Sequence, residues 1–113
     1  MIPIGVEIFV ARKPIDLRCS FDRLSGLVRE EIGRDPRGQA MFLFFGRRRN
    51  ALKLLFFDGS GFCIFYKRLD RGAFAIPGAE DDPAEHVTID SAELDALLDG
   101  IGLEERPPRR AVH

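Results

Sequence analysis

Three apolar segments follow one another closely in the middle of the chain, and they constrain the fold more than any other feature. They cover residues 41–45, 51–57 and 62–66. The connectors between them are short and contain glycine. Connectors of this length join antiparallel neighbours, because a parallel connection needs a crossover of about a dozen residues or more. The three segments therefore predict an antiparallel β-meander.

The part of the chain before the meander changes from a strand pattern to a helix pattern. Residues 6–11 are rich in β-branched and aromatic side chains and predict a first strand. The next apolar side chains recur at helical spacing, and they are Phe21, Leu24, Leu27, Val28 and Ile32. This stripe predicts an amphipathic helix over residues 21–32, with Ser20 as its N-cap and Gly33 at its end.

The part of the chain after the meander predicts two short strands and a second helix. The strand patterns cover residues 73–76 and 86–89, and the acidic stretch 79–85 between them predicts a loop. Asp90 and Glu93 have the spacing of a capping box, which favours a helix over residues 91–99. Its apolar face would consist of Leu94, Leu97, Leu98 and Ile101.

Together these patterns predict one α+β domain over residues 1–103, followed by a flexible C-terminal tail, 104–113. Its core is an antiparallel β-meander with one helix before it and one short helix after it. A chain of 113 residues with 45% hydrophobic content is long and apolar enough to form one domain with a hydrophobic core. The segment 51–57 is apolar on both of its alternating faces, so we expect both faces to be covered, one of them by a partner protein if not by the chain itself.

Charge is segregated along the chain although the formal net charge is only −1. Residues 78–99 contain eight acidic residues and no Lys or Arg, whereas residues 44–73 contain seven cations and two acids. In a meander the third segment returns to the loop from which the second departs, so the cations gather at one end of the sheet. Cations gathered in this way would attract a phosphate backbone, and they are Arg47, Arg48, Arg49, Lys53, Lys67, Arg68 and Arg71. The alternative is that these loops are solvated ends that keep the sheet from aggregating.

No catalytic or metal-binding pattern stands out. The two histidines are far apart, and no serine lies in a nucleophile elbow. Scattered carboxylates could hold the metal of a small nuclease, although they more commonly pair with neighbouring cations, and they are Asp16, Asp22, Asp58 and Asp70. Cys19 and Cys63 have no ligating neighbours. We therefore expect no enzyme activity, no metal and no cofactor.

The sequence gives no sign of a membrane or a secretory route. The longest apolar stretch is far short of the roughly 20 residues that cross a bilayer, and the N-terminus lacks the pattern of a signal peptide. With only two cysteines, a disulfide framework is not expected either. We therefore expect a cytoplasmic location.

An ordered series of sequence blocks resembles a known family. Residues 16–24 read D-L-R-C-S-F-D-R-L, and further similar blocks cover 42–61, 65–74 and 94–101. Together they resemble the TnpB-type accessory protein of the insertion sequence 66 family, which is encoded beside the transposase in bacterial transposable elements. The likeness covers about residues 4–103. This chain departs from the family pattern at Phe57 and Ile76, where tryptophan is expected.

The resemblance implies participation in DNA transposition without catalytic activity, with the transposase holding the strand-transfer chemistry. It implies DNA and the transposase as partners. Because the seven cations fall inside the matching blocks, the resemblance favours DNA contact by these residues over the solvated-loop alternative. The signature residues Asp16, Arg18 and Asp22 are expected to be structural, with an Asp–Arg pair fixing the first helix on the sheet. An adaptor that binds the transposase without touching DNA is the alternative, and a metal-dependent nuclease ranks last. The sequence leaves open whether the chain forms a homo-oligomer.

Overall fold

A computed structural model describes residues 5–78 and 81–100 of the chain, which form one sheet with helices on both sides. The predicted tail 104–113 lies outside the described residues. In chain order the elements are β1 (Ile8–Ile15), α1 (Phe21–Leu27), a π-helical turn (Val28–Ile32), β2 (Met41–Gly46), β3 (Ala51–Phe57), β4 (Phe62–Arg68), β5 (His86–Ile89) and α2 (Ser91–Leu98).

The predicted meander is present. The strand order across the sheet is β4-β3-β2-β1-β5, and β2, β3 and β4 are antiparallel neighbours. Leu54 at the centre of β3 lies opposite Leu43 on one side and Phe65 on the other. The edge strand predicted at 86–89 is also confirmed, because β5 pairs antiparallel with β1 and closes that side of the sheet.

The prediction of a purely antiparallel core is wrong, because β1 runs parallel to β2. Ile8 lies beside Met41, and the pairing continues in step to Ala11 beside Phe44. The physical reason is the helical segment between the two strands, which carries the chain back along one face of the sheet and so brings β2 in with the same direction as β1. The sheet is therefore mixed.

Two strand boundaries also differ from the sequence pattern. β1 continues to Ile15 through Pro14, and this is tolerated because its pairing with β5 ends at Ala11 and its pairing with β2 is irregular between Ala11 and Ile15. Residues 73–76 form no strand. Phe74 instead donates its backbone N–H to the carbonyl of Arg49 at 2.6 Å, and its side chain is buried.

The sheet separates two hydrophobic clusters. On one face Leu54 packs in a cluster with Leu94 and Leu97 of α2, and on the other Leu55 packs in a cluster with Leu24 of α1. Both β3 leucines are almost fully buried, at 1% and 0% exposed. The expectation that both faces of β3 are covered is therefore confirmed at these positions, and the chain's own two helices provide the cover.

The predicted capping residues lie at the helix ends, but only one of the two N-cap side chains makes a capping hydrogen bond. At α2 the predicted capping box is confirmed, with the Asp90 carboxylate accepting from the Glu93 backbone N–H at 2.8 Å. At α1, Ser20 is the N-cap residue, but its side chain makes no cap hydrogen bond. The predicted helical extent is confirmed only by including the π-helical turn, which ends at Gly33 in the left-handed region at φ 74°.

Candidate nucleic-acid interface

Three separate parts of the chain meet at one end of the sheet and enclose an open groove of about 360 Å³. They are the segment after β1, the β2–β3 hairpin and the end of β4. This is the carboxyl end of the parallel pair β1 and β2, where ligands commonly bind in open sheets flanked by helices. We call it the basic groove, and its charged and aromatic lining side chains are Asp16, Arg18, Arg47, Arg48, Tyr66 and Arg68.

The β2–β3 hairpin presents two arginines at its tip. The backbone N–H of Arg49 donates to the carbonyl of Gly46 at 2.9 Å and closes the turn, and Arg49 itself adopts a left-handed φ of 56°. Left-handed residues of this kind are common in short hairpin loops. The turn leaves Arg47 and Arg48 exposed at the groove. These two predicted residues therefore lie together with their charges accessible to solvent.

Gly46 allows the segment after β1 to approach the hairpin closely. A Cβ atom at this position would lie 3.0 Å from Cδ1 of Leu17, which is tighter than ordinary packing. Leu17 packs against the cluster on the α1 face, so its position is fixed by the core. The close approach brings the neighbouring Asp16 and Arg18 to the wall of the groove.

Asp16 and Arg18 form a local ion pair on this wall. Nη2 of Arg18 donates to Oδ2 of Asp16 at 2.6 Å, and the Arg18 backbone N–H donates to Oδ1 at 3.0 Å. Hydrogen bonds from the Arg18 side chain and backbone lower the pKa of Asp16 to about 2, with a smaller contribution from the charge of Arg47. The same side-chain hydrogen bonding raises the pKa of Arg18. The Arg18 side chain is 91% exposed, so it stays open to solvent while these hydrogen bonds orient its guanidinium.

Lys53 makes the contact between this segment and the sheet. Its ammonium donates to the carbonyl of Cys19 at 2.7 Å and lies 5.2 Å from the ring centre of Tyr66. Lys53 and Tyr66 are directly opposite each other on β3 and β4, on the face that carries α1. Lys53 is therefore a half-buried support for the groove wall.

The other predicted cations lie in different surroundings. Lys67 is on the opposite face of the sheet, where its ammonium donates to the carbonyl of Leu98 in α2. Arg71 is exposed in the turn after β4 and does not line the groove. Arg49 is half-buried in the hairpin. Of the seven predicted residues, the groove brings together Arg47, Arg48 and Arg68.

Sequence reasoning misses three of the charged or aromatic side chains of the groove, Asp16, Arg18 and Tyr66. The sequence blocks suggest only helix anchoring for Arg18, and the apolar pattern identifies Tyr66 only as a strand residue. For Arg18 the signal is the order of strand, helix and strand, because this order implies that β1 and β2 end at the same edge of the sheet. For Tyr66 the signal is the alternation of side chains along β4, since it puts Tyr66 on the same face as Arg68.

A larger depression of about 1040 Å³ lies at the other end of the sheet and has a different character. Two of its arginines are engaged with aromatic rings, Arg34 over Phe9 at 4.8 Å and Arg37 over Phe62 at 5.2 Å. Its lining also includes three carboxylates, which belong to Glu7, Asp35 and Asp58. The lining of the basic groove is therefore net positive, whereas the lining of this larger depression is not.

Metal-ligating clusters and membrane-spanning helices are both absent from the described part of the chain. Within residues 5–78 and 81–100, no three His, Cys, Asp or Glu side chains come together as metal ligands. Over the same two ranges no helix is long and apolar enough to cross a membrane.

These features define a small domain with a mixed five-stranded sheet between helices and a cationic groove at one sheet end. The family model described as "IS66 Orf2 like protein" matches residues 6–107. The chain belongs to this family of insertion-sequence accessory proteins, which is not known to be catalytic. The resemblance seen in the sequence blocks is thereby confirmed.

Two relatives come from Sinorhizobium fredii. The uncharacterized protein y4hO is 40% identical over 103 residues, covering 89% of this chain and 87% of the relative. The uncharacterized protein y4jC is 30% identical over 106 residues, covering 94% and 91%. No solved structure matches the chain.

Proposed function

We propose that this protein is a non-catalytic accessory factor that supports transposition of its element by binding DNA through the basic groove. The observation that carries the proposal is the charge of the groove, where four arginines meet a single aspartate. That aspartate is already paired with Arg18. A groove of this charge attracts a phosphate backbone, and membership of an insertion-sequence family makes element DNA the relevant ligand.

The groove arginines differ in what they offer a phosphate. Arg47 and Arg48 are exposed at the hairpin tip, where they can follow the backbone of the nucleic acid. Arg18 is held in place by Asp16, so binding a phosphate through its outer surface requires little further ordering. Contacts of this kind fix the position of DNA and carry no direct sequence information. We therefore expect affinity without strong sequence preference from this surface.

A salt titration of DNA binding tests the proposal. We expect labelled duplex from the element ends to bind at low salt, with an affinity that falls steeply as salt rises. In the double variant Arg47→Ala/Arg48→Ala the salt slope should become shallower by about 0.9 for each phosphate that the protein no longer neutralises. The decrease should be similar for element ends and for unrelated duplex.

A matched variant controls for net charge. Arg23→Ala/Arg29→Ala removes two exposed arginines that do not line the basic groove. The salt slope of duplex binding in this variant should stay close to that of the parent, apart from a small effect of the lower net charge. An equal decrease in both double variants, or no duplex affinity at low salt, would contradict binding through the groove.

The transposase is the second proposed partner, and acidic side chains on α2 favour it. Glu93, Asp95 and Asp99 are exposed on or directly after this helix. Opposite charge on a partner increases the rate of association and sets orientation. If the chain captures its transposase but has no affinity for duplex at any salt concentration, the adaptor function replaces the DNA-binding one. Substituting the three acids with Asn or Gln should then weaken the capture.

A further inference from the structure

Tyr66 is an unusually exposed aromatic side chain for a strand residue. Its exposed fraction is 54%, the largest among the large hydrophobic side chains of the described residues. It lines the basic groove together with Arg47, Arg48 and Arg68. An aromatic ring left open to water beside three guanidinium groups is not explained by packing of the core.

The ring is also held in a defined place. Lys53 lies directly opposite Tyr66 across the β3–β4 pair, and its ammonium is over the ring at 5.2 Å. The ammonium is itself fixed by its hydrogen bond to the carbonyl of Cys19. A cation over an aromatic face is attracted by the negative charge of the ring face. Lys53 therefore supports the ring from one side, and the exposed fraction shows that much of it stays accessible.

Aromatic rings set among cations are the chemistry that binds single-stranded nucleic acid. The cations follow the phosphates, and successive bases stack on the rings. In an intact duplex both faces of an interior base are already stacked on neighbouring base pairs, so such a base has no face to offer a ring at the wall of a groove. An unpaired base does have one.

We propose that the basic groove takes single-stranded DNA, with one unpaired base stacked on Tyr66 and the adjoining phosphates at Arg47, Arg48 and Arg68. The inference rests on the proposed function and specifies its preferred substrate: the arginines hold the phosphates of either form, and the stacked base makes unpaired strands bind more tightly than intact duplex. Stacking tolerates all four bases because each has a π-face. The groove therefore selects strand state and not sequence.

The composition of the chain supplies a direct measurement. Tyr66 is the only tyrosine, and there is no tryptophan. Tyrosine emission from the unlabelled protein therefore reports on this one side chain. We expect unlabelled oligo(dT) to quench the emission in a saturable way at low salt, and we expect added salt to restore it. A duplex of the same length should quench it much less.

Variants at two neighbouring positions test the role of the ring. Tyr66→Leu should weaken binding of labelled oligo(dT) by roughly 5- to 150-fold, the range for loss of one stacked base. Tyr66→Phe keeps the ring and should bind like the parent. Phe65→Leu is the matched control, because Phe65 is 37% exposed on the same strand but points to the opposite face. It should leave oligo(dT) affinity unchanged. Far-UV circular dichroism establishes that each variant is folded.

The outcomes separate this inference from the function on which it rests. Duplex binding with a steep salt slope, together with unchanged tyrosine emission and full oligo(dT) affinity in Tyr66→Leu, would overturn the stacking role and leave the DNA-binding function standing. An absence of binding to either form at low salt would overturn both.

Discussion

At the scale of single residues, Arg18 shows how an exposed side chain can still have a fixed position. Its guanidinium makes hydrogen bonds from Nε and Nη2 to one carboxylate two residues away. Exposed ion pairs contribute little to stability because water screens them and because two long side chains lose freedom. The benefit of this pair is therefore in the geometry of the groove wall and not in the free energy of unfolding.

The ionisation of Asp16 gives a residue-scale prediction. Its pKa is about 2 in the folded chain and is ordinarily 3.8, so its stabilising contribution is complete above about pH 3.8 and is lost as the pH falls through about 2. Replacing Arg18 with Gln should raise the Asp16 pKa towards 3.8. Carboxyl-carbon NMR titration measures this directly.

Asp58 provides the internal control for that titration. Its pKa is also about 2, but the cause is hydrogen bonds from the backbone N–H groups of Ser60 and Gly61 in its own turn. Arg18→Gln should leave it unchanged. If the pKa values of both carboxyl groups rise together in the variant, the change is a general loss of structure and the Asp16–Arg18 interpretation is wrong.

At the scale of elements, β3 gives a prediction about both faces of the sheet. Leu54 and Leu55 are consecutive residues in separate clusters, one packed with α2 and the other with α1. Replacing either with Ala should cost roughly 2–5 kcal/mol of unfolding free energy, because each change leaves a cavity in a filled core. Urea unfolding measures the loss.

Hydrogen exchange shows which helix each leucine supports. Leu54→Ala should speed exchange chiefly in α2, and Leu55→Ala chiefly in α1, since each change opens only one cluster. Phe65→Ala on the exposed neighbouring strand should cost clearly less than either. Equal effects of both leucine changes on both helices would mean that the two clusters are not separate.

The elements also show what sequence patterns can and cannot specify. The apolar runs of β2, β3 and β4 and the capping box of α2 are local features, so their predicted bounds are close to those of the structure. The direction of β1 is not a local feature, because it depends on how the intervening helix crosses the sheet. The groove positions of Arg18 and Tyr66 are not predicted for the same reason. Arg18 lies at the groove because of that crossover, and Tyr66 because of the register between neighbouring strands.

At the scale of the whole molecule, the shared sheet should make unfolding cooperative. Both clusters include residues of β1, β2 and β3, so neither can be lost without exposing apolar surface on the strands. We expect Tyr66 fluorescence and far-UV circular dichroism to give coincident transitions in urea. A fluorescence transition at clearly lower urea would show that β4 separates from the sheet before the rest unfolds.

The strand order has a consequence for how the protein is made. β1 leaves the ribosome first, yet it lies between two partners that are both synthesised later, and β5 follows it by about seventy residues. Until then the apolar run from Ile8 to Ala11 keeps one hydrogen-bonding edge open even after β2 has paired with the other, and an open edge is a template for pairing with other chains. Expression of a fragment that ends before His86, which also lacks α2, should therefore yield inclusion bodies, and adding back β5 together with α2 should restore soluble protein.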